Sequence, residues 1–263
     1  MPMKSLLNKK KIGILVGILI VLIVGALLLA PLPVDPNYHN FAARRSIWGI
    51  PNFSDVASNL PFGIFGLMGL WLVLGSSGRT IFKARYHAVP YVIFFGAVCA
   101  ITIGSSHYHW APANGPLFWD RLPIAIAFMG LFAAFLADRI GQRVGIFFLM
   151  PLLILFASGS MLWDLGHIRQ GGDLRFYALV QIYPIITLPL LCWLFPKSHY
   201  TTTKHMLLMV GWYVLAKILE VLDWSTYDFL GGVVSGHTLK HLVASMSVFT
   251  VILMLKSRIE RRN

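Results

Sequence analysis

Two stretches of the chain carry histidines at spacings that suit a metal site. In SGHTLKHL, His237 and His241 stand four residues apart, so both imidazoles project from one face of a helix. In SSHYHW, His107 and His109 stand two residues apart, about 200° around a helix, and they cannot both face one interior. The first pair and one histidine of the second would supply three imidazoles, the ligand set of a hydrolytic zinc site that keeps one position open for water.

A serine and an aspartate close to SSHYHW could assist such a site. Ser105 and His109 are four residues apart and share a helical face, and Asp120 follows in WDRLP. Asp120 could accept a proton from the zinc-activated water or orient a ligand histidine. The Ser105 hydroxyl could hydrogen-bond the water or the developing oxyanion. Together these residue types predict metal-assisted hydrolysis.

The composition indicates an integral membrane protein. Of the 263 residues, 57% are hydrophobic and 12% are charged, whereas soluble domains carry about 25% charged residues. The net charge of +12 would suggest nucleic-acid binding in a soluble protein, but the basic residues lie in short gaps between apolar runs and indicate topology. Cys99 and Cys192 both lie inside apolar segments, so neither a disulfide framework nor a cysteine metal site is expected.

Apolar runs of about twenty residues predict eight transmembrane helices, and hence an all-α, polytopic transmembrane helix bundle. The predicted spans are residues 12–31, 55–76, 88–108, 119–137, 145–163, 175–195, 206–222 and 238–255.

The basic residues also predict an orientation. When the gaps are assigned alternately to the two sides, fifteen of the 22 Lys and Arg residues fall on one side and six on the other, with Lys217 inside a helix. The positive-inside rule then places both termini in the cytoplasm. In this orientation His109, Asp120 and His237 all lie near the non-cytoplasmic ends of their helices.

The first apolar segment predicts a division of the chain. Residues 1–32 would form a cytoplasmic tail and an extra transmembrane helix, and residues 33–263 a seven-transmembrane zinc hydrolase domain. A secretory signal peptide is the alternative, since a basic region precedes the apolar run. We favour a retained anchor, because the run is long and Pro31 directly follows Ala30, the one small residue suited to cleavage.

The combination of Ser105-x3-His109, Asp120 in WDRLP and His237-x3-His241 resembles the alkaline ceramidase family, within a membrane-hydrolase superfamily that also contains the progestin and adipoQ receptors and the Per1 proteins. The resemblance covers roughly residues 48–255 and includes GIPNFSDVASNLPF. It implies a seven-helix core, to which the first helix here is an addition. It also implies that His109, His237 and His241 bind zinc while Ser105 and Asp120 support catalysis of ceramide amide hydrolysis. Because His107 faces away from Ser105 and His109, we expect it to be dispensable.

One departure from the family concerns calcium. Animal alkaline ceramidases carry an acidic calcium-binding cluster at their first core helix, whereas this chain reads AARRSIWGIPNFSDVASN, with Asn52 where a glutamate is expected. We therefore predict no calcium site of that kind. The short loops and this difference favour a bacterial inner-membrane protein, with the active site towards the periplasmic side.

Three other functions remain open at this stage. The substrate could be a different acyl lipid, either an ester or another amide, because nothing in the sequence identifies the head group. A receptor or sensor with a structural zinc is a second class, although the loops are short. A transporter would require repeats and midplane charges, and the chain shows no internal repeat. No sequence feature indicates the oligomeric state.

Further polar residues have simpler interpretations. Lys217, Glu220 and Asp223 in AKILEVLD predict a buried ion pair between helices, with contact to the zinc site or the substrate as the alternative. Asp164 and Asp173 lie in a predicted outer loop, where we expect them to be solvated.

Overall fold

The computed structural model describes residues 2–167 and 171–260, which form the predicted all-α bundle. Arg169, Arg261 and Arg262, three of the basic residues counted above, lie outside the described residues. A 3-10 turn spans Arg85–Ala88 and a π-helical turn spans Gly145–Leu149. The α-helices are α1 (Pro2–Leu28), α2 (Phe53–Ala57), α3 (Leu60–Leu74), α4 (Ser76–Ile81), α5 (Val89–Trp110), α6 (Asn114–Arg139), α7 (Gln142–Val144), α8 (Met150–Gly166), α9 (Arg175–Leu194), α10 (Thr203–Val221), α11 (Asp223–Phe229) and α12 (Gly236–Glu260).

Seven helices among the described residues are long and apolar enough to cross a membrane. They correspond to seven of the eight predicted spans. The remaining predicted span, residues 206–222, corresponds to α10. This helix is long and apolar enough to cross a membrane only when it is taken together with α11, and the two helices meet at a bend of 79°. The charged residues Lys217 and Glu220 reduce the hydropathy of α10. Both border the cavity, although the Lys217 side chain is 50% exposed.

The position of α5 against α6 is fixed by a glycine. α6 is the most buried of the candidate spans, and α5 packs along it. At Gly104, an added Cβ atom would lie 2.0 Å from the Trp119 carbonyl oxygen, so only a residue without a side chain permits this approach. The contact places Ser105 of α5 beside Asp120 of α6.

The N-terminal helix α1 lies along α9 and is attached near both of its ends. The Lys11 ammonium donates to the Leu194 carbonyl oxygen at 2.6 Å, and the Arg175 guanidinium donates to the Ala26 carbonyl oxygen at 3.2 Å. Much of the remaining surface of α1 is exposed and apolar, as lipid contact requires.

Residues 29–52 fold over one end of the bundle, which we call the histidine end because His109 and His237 lie there. Asp173 holds this segment: its carboxylate accepts the Leu32 N–H at 3.2 Å and pairs with Arg175 at 2.7 Å. Asp173 is 0% exposed, so the expectation of a solvated loop residue is wrong. Burial by itself raises the pKa of this carboxyl, but the hydrogen bonds from Arg175, Trp163 and Leu32 hold it well below its usual range.

Replacing Gly104 should damage the bundle more than replacing another glycine of α5. In Gly104→Ala the new methyl group meets a backbone carbonyl, which should cost about 1–3 kcal/mol of stability. Gly96→Ala is the control, since its added Cβ atom has nothing within 4 Å and alanine favours a helix. Thermal unfolding in detergent should show a lower midpoint for Gly104→Ala alone. Equal midpoints for both variants would contradict the close approach.

Candidate metal centre

Three buried histidines converge at the histidine end. The Nε2 atoms of His109 and His237 are 3.3 Å apart, and each pair of rings among His109, His237 and His241 has its centroids 4.9 Å apart. One ring nitrogen from each residue lies within 4.8 Å of the other two, and the three residues are 1–4% exposed. The predicted convergence is thus confirmed, and the group could hold a metal ion. His107 is exposed and outside the group.

The start of α12 is fixed from two sides, and this positions His237. The Asp223 carboxylate accepts the His237 backbone N–H at 2.7 Å and the Ala42 backbone N–H at 3.0 Å. Carboxylates stabilise helix N-termini because the first amides have no partner within the helix. At Gly236 an added Cβ atom would lie 2.3 Å from the Leu219 carbonyl oxygen, so α12 begins in close contact with α10.

The orientation of His241 is set by Ser58. The Ser58 hydroxyl lies 2.8 Å from Nδ1 of His241 and donates to the Asp55 carbonyl oxygen at 3.1 Å. Since that bond uses its proton, Ser58 accepts from the Nδ1–H group, which leaves the lone pair on Nε2. The Asp55 carboxylate in turn accepts a hydrogen bond from the Thr238 hydroxyl at 2.6 Å, which joins α2 to α12.

The environment of His109 fits a metal ion. Its Nδ1 atom is buried with no hydrogen-bond partner among the described residues, and its Nε2 atom faces Nε2 of His237. Two such nitrogens can satisfy each other only if one carries a proton, whereas a cation between them would accept both lone pairs. Two nitrogens bound to tetrahedral zinc at about 2.0–2.1 Å are about 3.3–3.4 Å apart, which agrees with the observed 3.3 Å.

A cavity of about 420 Å³ begins beside the histidines. His241, Ser105 and Asp120 line it at the histidine end, as the sequence predicted for one shared site. From there the α5 face of Ser105, Ile101, Val98 and Phe94 continues into the bundle, over roughly 16 Å by the helical rise. The cavity therefore combines a polar end next to the histidines with a long apolar extension.

A charged cluster also borders the histidines. The Lys240 ammonium lies 2.9 Å from a Glu220 carboxylate oxygen and 3.1 Å from Nε2 of His237. Glu220 also pairs with Lys217 within α10. The Lys217–Glu220 pair lies within α10 and Lys217 is half-exposed, so it is not the buried interhelical pair that the sequence predicted. Lys240 of α12 makes the interhelical pair with Glu220 instead, and Glu220 also lines the cavity. Its negative charge offsets that of Lys240, which would otherwise oppose a cation at the neighbouring histidines.

Sequence reasoning did not anticipate three contacts. Ser58 lies at the start of the predicted span 55–76, and its bond to His241 was not foreseen. Asn52, considered only for calcium, donates to the His109 carbonyl oxygen at 2.8 Å. Lys240 was treated as a topology marker. The one sequence feature that could have indicated these contacts was the i, i+3 spacing of Asp55 and Ser58 at the start of a predicted span.

No protein-family model matches the chain, and no curated protein shows significant sequence similarity to it. The structure itself defines the class: a polytopic membrane-type helical bundle with a buried three-histidine group that could hold a metal ion beside an internal cavity.

Removing the Ser58 hydroxyl should weaken metal binding without unfolding the protein. Loss of such an outer hydrogen bond to a ligand histidine typically costs 10–100-fold in metal affinity, and we expect this range for Ser58→Ala in a zinc competition titration with a chromophoric chelator. Ser106→Ala is the matched control, because that hydroxyl donates to the Val56 carbonyl oxygen away from the histidines. Unchanged affinity in Ser58→Ala would show that its bond to His241 does not support the site.

Proposed function

We propose that this protein is a zinc-dependent intramembrane hydrolase that cleaves the amide bond of ceramide-like lipids, giving a sphingoid base and a fatty acid. The observation that carries the proposal is the position of the three-histidine group at the head of an apolar cavity, with Ser105 and Asp120 beside it. A receptor needs no such continuity between a metal site and a lipid-sized cavity.

Zinc suits the donor set of three neutral imidazoles, and when bound it would polarise a carbonyl and lower the pKa of a water at its open position. The chain's own contribution is to hold the imidazoles. Phe41 packs against His109 and His237, with ring centroids 4.9 and 4.3 Å apart, and helps keep bulk water out.

Asp120 and Ser105 perform the proton transfer and the charge stabilisation in this proposal. Asp120 takes a proton from the attacking water as the new C–O bond forms, and delivers it to the amide nitrogen as the C–N bond breaks. The Ser105 hydroxyl donates a hydrogen bond to the carbonyl oxygen while negative charge develops there. The products are a carboxylic acid and an amine, so the overall reaction consumes one water.

The cavity supports an acyl substrate. Beyond Ser105 its wall is formed mainly by apolar side chains of six helices, namely α3, α5, α6, α9, α10 and α12. An acyl chain in this space would place its first carbonyl carbon near the histidines. We infer from the basic residues that this end faces the periplasmic side of a bacterial inner membrane, with both termini in the cytoplasm.

The two histidines of SSHYHW provide a direct test of the proposed site. His109→Ala should lose both zinc, measured by elemental analysis, and hydrolysis of a short-chain fluorescent ceramide. His107→Ala should retain both, because its side chain lies outside the group. Zinc bound stoichiometrically to His109→Ala, together with full activity, would refute the assignment.

Asp120→Asn separates metal binding from proton transfer. The variant should keep its zinc and lose about 10²–10⁴-fold in kcat, the usual contribution of a general acid–base group.

The reaction class is checked with an ester of the same acyl chain. Rapid ester cleavage with no ceramide cleavage by the wild type would overturn the amidase proposal.

A further inference from the structure

Arg121 is a buried cation whose partners leave it incompletely satisfied. Its side chain is 4% exposed, and its guanidinium lies between the rings of Tyr38 and Tyr177, at 5.1 and 5.2 Å from their centroids. Its nearest carboxylate is that of Asp164, 3.5 Å from NH1, and NH1 has no hydrogen-bond partner among the described residues. The other carboxylate oxygen of Asp164 accepts the Asp173 backbone N–H at 2.8 Å. A guanidinium held in this way retains capacity for an oxyanion.

Arg121 faces the cavity rather than the outer surface. It lines the cavity together with both tyrosines that flank it. The Asp164 carboxylate lies 3.5 Å from Arg121 but outside the lining, and it balances the excess cation of the lining before any metal is bound. Among the described residues, the charged groups of the lining are three cations and two carboxylates. These groups are Arg121, Lys217, Lys240, Asp120 and Glu220.

The location of Arg121 indicates which part of a substrate it would meet. Arg121 follows Asp120 near the histidine end of α6, and Tyr38 comes from the segment that covers this end. The apolar part of the cavity extends in the opposite direction, towards Phe94 and Leu131. An acyl chain in the apolar part would therefore leave the amine portion of an acyl amide beside Arg121.

We propose that Arg121 binds an acid group on the amine portion of the substrate, so that the preferred substrates are anionic acyl amides rather than neutral ones. The inference rests on the proposed amide hydrolysis for the reaction, whereas binding of the anion by Arg121 does not depend on that reaction. The shared chemistry is an oxyanion near the amide, which a carboxylate of an N-acyl amino acid or a phosphate of a phosphorylated ceramide would supply.

Two matched substrate pairs test the inference on the purified, zinc-containing full chain. The first pair is N-palmitoylglycine and N-palmitoylglycinamide, which differ by one charge at nearly constant shape. The second is ceramide 1-phosphate and ceramide. The acidic member of at least one pair should show a kcat/KM higher by on the order of 10- to 100-fold, mainly through KM, as expected for a charge-assisted hydrogen bond to a buried arginine. The pair that shows the preference identifies the acid as carboxylate or phosphate.

Variants locate the effect. Arg121→Gln should abolish the difference in kcat/KM between the acidic and the neutral member of the preferred pair, and Arg121→Lys should keep part of that difference. Arg45→Gln is the control, because it removes the same charge from an exposed position on the segment that covers the histidine end. If the Arg121 variants fail to fold, the absence of any preference for the acid in the wild-type pairs still overturns the inference.

A binding measurement distinguishes failure of this inference from failure of the proposed function. Zinc-free protein is titrated with each glycine derivative in competition with a fluorescent acyl probe. If no amide is hydrolysed but N-palmitoylglycine still binds more tightly through Arg121, the amidase proposal fails and the anion site stands. If amides are cleaved with no preference for the acid in either pair, or if Arg121→Gln reduces acidic and neutral substrates equally, the anion site is overturned and the amidase proposal stands.

Discussion

Burial of three imidazoles within an apolar bundle is the constraint on which the rest of the structure depends. A nitrogen removed from water needs a partner, and lipid-facing side chains cannot supply one. The bundle meets this need for His241 through Ser58 and for the His237 backbone through Asp223. Nε2 of His109 faces Nε2 of His237, which also lies 3.1 Å from the Lys240 ammonium, and a metal ion would accept the lone pairs of both imidazoles.

The same constraint explains why charged residues lie around the histidines. Lys240 lies next to Nε2 of His237, and Glu220 offsets its charge. Asp120 lies on the opposite helix, where the close contact at Gly104 brings it beside Ser105. Along α5 the lining then becomes apolar, so polar chemistry and an acyl-sized cavity share one wall. This continuity is the physical basis for proposing a lipid substrate.

The sequence was sufficient for the fold class and for the pairing of His237 with His241, because hydropathy and i, i+4 spacing are local properties. The addition of His109 rested on the shared membrane depth of the helix ends and on the family resemblance. The sequence did not anticipate the 79° bend between α10 and α11, or that Glu220 faces a cavity that only the assembled bundle creates. Asp173 was misassigned as solvated for a similar reason: the segment that buries it comes from residues far away in sequence. The bonds of Asn52 and Ser58 to the metal-site region likewise join separate helices, and a polar residue near a helix end does not reveal its distant partner.

X-ray absorption spectroscopy at the zinc edge, on the purified full chain, tests the central claim most directly. The account predicts one zinc per chain, coordinated by three imidazole nitrogens at about 2.0–2.1 Å with one further oxygen or nitrogen ligand. It also predicts that the imidazole scattering decreases when His237 is replaced by alanine. A spectrum with sulfur ligands, or one unchanged in His237→Ala, would place the metal elsewhere and contradict the account.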